Sequence, residues 1–132
     1  MEGGPPEPRL SEEERLSLEK GMAQFNDGYF FECHDTLEDL WMGIRGPSRD
    51  FFQGLIQVAV GFYHLGNGNR GGALTLLQRG LKRLEKYSDR YCGLELRELR
   101  DDLRSWLARI EAGQGFPDGL GGLPKYRSSG PA

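Results

Sequence analysis

Apolar residues recur along this chain at three- and four-residue spacing, and no stretch sustains an alternation of period two. The pattern predicts an all-α fold. The strongest segment is Phe51 to Leu65, FFQGLIQVAVGFYHL. On a helix, Phe52, Ile56, Ala59, Val60 and Tyr63 form one face, and Phe51, Leu55, Val58, Phe62 and Leu65 cover the back. Only a narrow strip of Arg49, Gln53, Gln57 and His64, flanked by Gly54 and Gly61, is left polar. A helix that is apolar nearly all round is a buried one.

Four further helices follow from local signals. Ser11-Glu12-Glu13-Glu14 is a capping box that opens a first helix with Leu18, Met22 and Phe25 on its apolar side, ended by Asn26-Asp27-Gly28. A second runs from about Tyr29 to Ile44 and stops at Gly46-Pro47, with Ser48 expected to cap the third. Asn69 is expected to cap a fourth, lined by Leu74, Leu77, Leu81 and Leu84 and ending near Tyr87. A fifth spans about Leu94 to Glu111 on Leu96, Leu99, Leu103, Trp106 and Ile110. Residues 1–10 and 113–132 are rich in Gly and Pro and read as a flexible and a mobile tail around a single domain at 11–112.

Gly21, Gly28, Cys33 and Leu37 recur forty residues later as Gly61, Gly68, Ala73 and Leu77. Each set is a helix with a glycine, a glycine turn, and a helix opening on a small residue. This predicts two stacked helical hairpins with tetratricopeptide-like packing and a closing C-terminal helix. Two copies are fewer than a solenoid needs, so a compact bundle of about five helices is expected.

Composition bounds the function. The 132 residues suit one core, and the net charge is −3. Residues 1–69 hold five Lys/Arg against twelve Asp/Glu, and residues 70–132 twelve against eight. Such polarity is compatible with an anionic partner or a homo-oligomer interface, while the total argues against bulk nucleic-acid coating. MEGGPPEPRL lacks the marks of a secretory signal, and no apolar run reaches a ~20-residue membrane span. Cys33 and Cys92 form no metal-type cluster. The expected compartment is the cytoplasm.

Candidate chemistry gathers at one margin. His34 and Glu38, four residues apart on the second helix, border an apolar face of Phe30, Cys33, Leu37, Leu40, Trp41 and Ile44. A carboxylate beside an imidazole fixes its tautomer and leaves the other nitrogen as acid, base or metal ligand. If the second and third helices are antiparallel, His34 and Glu38 face the strip of Gln53, Gln57 and His64. Trp41 and Tyr63 would then wall the pocket. His34, Glu38 and His64 are the candidate catalytic set, and also a candidate set for a divalent metal, the one cofactor these residues suggest. The same residues also fit a structural polar network. Arg79, Lys82, Arg83 and Lys86 form a candidate anion-binding surface on the fourth helix, or a solvated, ion-paired face.

FNDGYFFECHDTLEDLW, followed by FFQGLIQVAVGFYHLGNGNRGGA, resembles a family of small all-helical bacterial and archaeal proteins known as domain of unknown function three hundred and nine. Its hallmark, H-x-x-x-E-x-x-W, is present as His34, Glu38 and Trp41. The resemblance covers roughly residues 15–110 and implies a compact helical fold with an active site at that motif, without naming a reaction. The readings that remain are a small-ligand or hydrolase-like site, a protein-interaction adaptor built from helical hairpins, and a weak anion or nucleic-acid binder.

Overall fold

The computed structural model describes residues 4–113. Most of the segment expected as a C-terminal tail, 114–132, lies outside the described residues, as do residues 1–3. Five helices dominate: α1 (Glu12–Asn26), α2 (Phe30–Met42), α3 (Arg49–Gly66), α4 (Arg70–Leu84) and α5 (Leu96–Glu111). Each helix packs mainly on its neighbours in sequence, so α3 is clasped between α2 and α4. This is the expected all-α bundle of two helical hairpins and a closing helix.

The caps follow the local chemistry. Glu14 N donates to Ser11 Oγ at 3.0 Å and Ser11 N donates back to Glu14 Oε1 at 2.9 Å, completing the capping box. Asn69 Oδ1 accepts from Gly72 N at 2.9 Å and caps α4. Ser48 differs from expectation: it occupies the cap position of α3, but its side chain makes no capping bond, because its backbone is already helical there (φ −78°, ψ −10°).

The repeat is structural down to its hydrogen bonds. Tyr29 N donates to Gln24 O at 2.8 Å, and Asn69 N donates to His64 O at 2.8 Å. Gly28 (φ +86°) and Gly68 (φ +79°) supply the left-handed residue that this closure requires. Within each hairpin a glycine meets a leucine of the facing helix. A Cβ on Gly21 would lie 2.7 Å from Leu37 Cδ2, and one on Gly61 would lie 2.7 Å from both Leu77 Cγ and Cδ2. The second hairpin closes further, since a Cβ on Gly80 would meet Gly54 O at 3.0 Å.

Two aromatic clusters pin the ends of α3. At its C-terminal end Phe62 contacts Phe25 of α1, Phe30 of α2 and Trp106 of α5, with ring centroids 5.9, 5.8 and 5.6 Å away. At its N-terminal end Phe51 packs on Phe52, Tyr87 and Tyr91. Cys33 is fully buried beside the first turn, and desolvation pushes its thiol up to about 12, so it serves as a small apolar group.

One element was not expected. Arg90–Tyr91 (β1) and Leu94–Glu95 (β2) form a two-residue antiparallel hairpin ahead of α5. Its turn residues, Cys92 (φ +52°) and Gly93 (φ +79°), both have the positive φ of a primed hairpin turn. The hairpin shortens α4 and α5 relative to the sequence reading and pairs Arg90 with Glu95 across its strands. Residues 4–10 contain no helix or strand and run past this hairpin, where Tyr91 Oη donates to Pro6 O at 2.6 Å and Cys92 N donates to Glu7 Oε1 at 3.1 Å. Tyr87 Oη donates to Pro47 O at 2.6 Å, holding the α2–α3 loop. Arg70 closes the other end, donating to Ile110 O and Glu111 O at 2.8 Å each and so capping α5 from α4.

The glycine contacts set a stability order. Gly61→Val should destabilise by about 1–3 kcal/mol through overpacking against Leu77. Gly71→Ala, whose Cβ would meet nothing within 4 Å, should instead stabilise by about 0.4–1 kcal/mol. Urea denaturation of both variants checks the contrast; equal midpoints would refute it.

Candidate functional site

His34 projects from the second turn of α2, and antiparallel packing brings that turn beside the last turns of α3. His34 and His64, the two histidines of the chain, therefore line one recess, together with Phe30, Phe31, Val60 and Tyr63. Its volume is about 130 Å³ and its walls are almost entirely apolar. A wider groove of about 350 Å³ adjoins it, running from Gly28 and Tyr29 to Asn67 and sharing Phe30, Phe31 and Tyr63. Tyr29, Phe31 and Tyr63 are 59, 50 and 40% exposed, an aromatic rim open to solvent. Phe31 stacks obliquely on both His34 and Tyr63, at 5.9 and 5.6 Å between centroids.

The imidazoles are held differently. His34 Nδ1 lies 3.2 Å from Asp35 Oδ1, and its Nε2 lies 3.8 Å from Glu38 Oε1, so both ring nitrogens face carboxylates. His64 Nδ1 lies 3.5 Å from Asn69 Nδ2. Asn69 Oδ1 is committed to Gly72 N, so its amide group is the side turned to the ring. A neutral His64 that accepts from this amide carries its proton on Nε2.

Other residues expected at this pocket lie elsewhere. Trp41, nearly two helical turns beyond His34, does not line the recess. It sits at the α2–α3 loop with the Arg49 guanidinium 3.8 Å above its ring. Trp41 Nε1 is buried with no hydrogen-bond partner among the described residues. Gln57 turns to α4, where its Oε1 accepts from Arg83 Nε at 3.1 Å. Gln53 lines neither the recess nor the groove. The strip on α3 is therefore divided between its two neighbours: Gln57 turns to α4, and His64 turns to the α2 recess. For the metal set of His34, Glu38 and His64, no group of three His, Cys, Asp or Glu among the described residues is placed to hold an ion. Two imidazoles fall short of the three protein ligands of a catalytic zinc site.

The basic residues of α4 form a second, separate feature. Arg79, Lys82, Arg83 and Lys86 line a cleft of about 450 Å³ with Asp50 of α3. Asp50 pairs through one oxygen with Arg83 and through the other with Lys86. The hydrogen bond from Lys86 is the largest influence holding the Asp50 carboxyl below the ordinary aspartate value, with the charges of both cations adding to it. On α5, Arg100 reaches Asp89, Leu84 O and Tyr87 O, and Arg104 reaches Glu85 and Asp101.

Residues 18–76 match the family model described as Domain of unknown function (DUF309). The matched segment runs from α1 into α4 and includes His34, Glu38, Trp41 and His64. An uncharacterized protein of Aquifex aeolicus (strain VF5) is 26% identical over 105 residues, covering 79% of this chain and 31% of its own length. The uncharacterized protein YpuF of Bacillus subtilis (strain 168) is 35% identical over 57 residues, covering 42% of this chain and 33% of its own. The chain thus spans about a third of the length of these curated relatives. No helix among the described residues is long and apolar enough to cross a membrane.

A carboxyl held low stabilises the fold above its unfolded pKa, and that contribution is lost as pH falls through the folded value. Asp50→Asn should therefore be less stable than the parent near pH ~6, and the gap should close as the solution is acidified below the usual aspartate range of about 4. Thermal melts across that window test the pair; a gap that is unchanged at the acid end would contradict it.

Proposed function

We propose that this protein is a small-ligand-binding helical domain whose site is the recess between α2 and α3. The observation that carries the reading is the meeting of His34 and His64, from different hairpins, at one apolar recess. A volume of about 130 Å³ is close to that of the ~150 Å³ apolar cavity known to accept benzene, so the occupant is one ring or a branched aliphatic group. The imidazoles at its edge would meet a polar substituent, His64 through Nε2–H. His34, flanked by Asp35 and Glu38, is the group best equipped to exchange a proton if the ligand is also a substrate. Glu38 and Asp35 would orient it. The free cysteines Cys33 and Cys92 support a reducing, cytoplasmic setting.

The exposed rim of Tyr29, Phe31 and Tyr63 favours one further reading, in which the occupant is an apolar side chain of a protein partner and the hairpins act as an adaptor. Both readings use the same recess but differ in what displaces a bound probe.

Titration with indole, benzoate and imidazole-bearing fragments, followed by nuclear magnetic resonance, provides the test. At least one fragment should shift the side-chain signals of Phe31, Tyr63, His34 and His64 together, and Phe31→Ala combined with His64→Ala should remove the response. A response confined to other residues, or none from any fragment, would sink the proposal. Glu38→Gln should weaken fragment binding while the melting temperature stays within about 2 °C of the parent, as expected for a surface change of under ~0.5 kcal/mol. Lost stability with unchanged binding would identify Glu38 as structural.

A further inference from the structure

The α3–α4 cleft is distinct from the histidine recess, and its charge is not balanced from within. Arg79, Lys82 and Arg83 stand at i, i+3 and i+4 near the end of α4, with Lys86 in the turn just after it, so Arg79 has like-charged neighbours at helical contact spacing and the cations crowd one end of the helix. Such pairs destabilise a bare helix. Among the described residues Asp50 is the one carboxylate lining the cleft, and it is already shared between Arg83 and Lys86. Arg79 and Lys82 make no ion pair with a described residue. Four cations against one anion leave the cleft with an excess of three positive charges.

The cleft is also organised. Arg83 is anchored from α3 by two groups, Gln57 Oε1 on its Nε and Asp50 on its Nη1. Its stem is set at the α3 surface by Gly54, where a Cβ would come within 3.2 Å of Arg83 Cβ. The guanidinium is therefore fixed before any ligand arrives, and its remaining N–H groups are free to fork onto an oxyanion. From Arg79 to the last residue of α4, Leu84, the helix rises about 7.5 Å, and Lys86 follows in the turn after it, a span longer than one phosphate and suited to a short chain of them. The volume of about 450 Å³ falls within the range of small-molecule sites, ~300–1,000 Å³. Among the described residues no aromatic ring lines the cleft, so they offer no platform on which to stack a succession of bases.

We propose that this cleft binds a small anion carrying two or more linked phosphate groups. Arg83 is the fixed anchor, Arg79 and Lys82 supply the unpaired charge, and Gln57 is a positioning residue that acts through Arg83. The ligand neutralises the self-repulsion of the α4 face and stabilises the folded state by mass action.

Isothermal titration of the full chain with inorganic pyrophosphate, tripolyphosphate, adenosine diphosphate and orthophosphate tests this. Pyrophosphate and tripolyphosphate should bind at least tenfold more tightly than orthophosphate and raise the melting temperature. Arg79→Gln with Lys82→Gln should weaken pyrophosphate binding at least tenfold. Gln57→Ala should weaken it several-fold, with no change in the melting temperature of the unliganded protein, whereas Arg104→Gln should leave affinity unaltered. Adenosine diphosphate binding as pyrophosphate does, or more tightly, supports the proposal and shows whether the source of the diphosphate matters. Pyrophosphate no tighter than orthophosphate, affinity indifferent to Arg79 and Lys82, or tenfold tighter binding of a single-stranded RNA than of tripolyphosphate would overturn it.

Discussion

Two helices approach until their side chains collide, and in both hairpins of this protein a glycine opposite a leucine removes the collision. Gly21 faces Leu37 and Gly61 faces Leu77, each closer than a methyl group would allow. Close approach buries the flanking apolar residues without voids, and dense packing of that kind stabilises a small core. The second hairpin adds Gly54 and Gly80, and the consequence reaches the surface. Because α4 lies so close to α3 at Gly54, the root of Arg83 sits on α3 and its guanidinium meets Gln57 and Asp50. The charge arrangement of the cleft therefore depends on the same backbone proximity as the core.

The candidate residues stand where the two copies differ. In the first hairpin the position equivalent to His64 is Gln24, whose Oε1 accepts from Thr36 Oγ1 on the facing helix at 2.7 Å. In the second copy His64 Nδ1 lies 3.5 Å from the cap residue Asn69. The backbone at the two positions is the same, including the 2.8 Å bond that closes each turn. What the second copy gains is an imidazole directed towards the α2–α3 recess, where the first copy has a polar tie between its own helices. Repetition supplies the frame, and divergence between the copies supplies the chemistry.

Local features were legible in the chain. The capping box at Ser11 and the Asn69 cap depend on residues three apart, and the glycine turns depend on a single φ, so sequence spacing reads them directly. The forty-residue echo likewise identified the pairing of the hairpins. The β1–β2 hairpin leaves no comparable mark in the sequence, because two-residue strands are too short to alternate and Cys92-Gly93 is not an Asn-Gly signal. The fate of Gln57 depends on the rotation of α3 between two neighbours, which no single helix encodes; only the nearby glycines, marking the side where α4 lies, hinted at it. Trp41 was expected beside His34 because it shares a face of α2. Its partner, Arg49, comes from the far side of a loop whose path sequence spacing does not specify.

The sequential packing of the helices bears on how the chain reaches this structure. Most partners lie in the adjoining helix, so little loop must be closed before a contact rewards it, and low contact order favours rapid folding. Either hairpin is a complete nucleus, with its own turn, glycine and leucine. Arg70 alters this linear arrangement at one place, because its guanidinium joins the start of α4 to carbonyls some forty residues later. That bond can form only once α5 has docked. It therefore fastens the closing helix to the bundle after the local hairpin contacts are made.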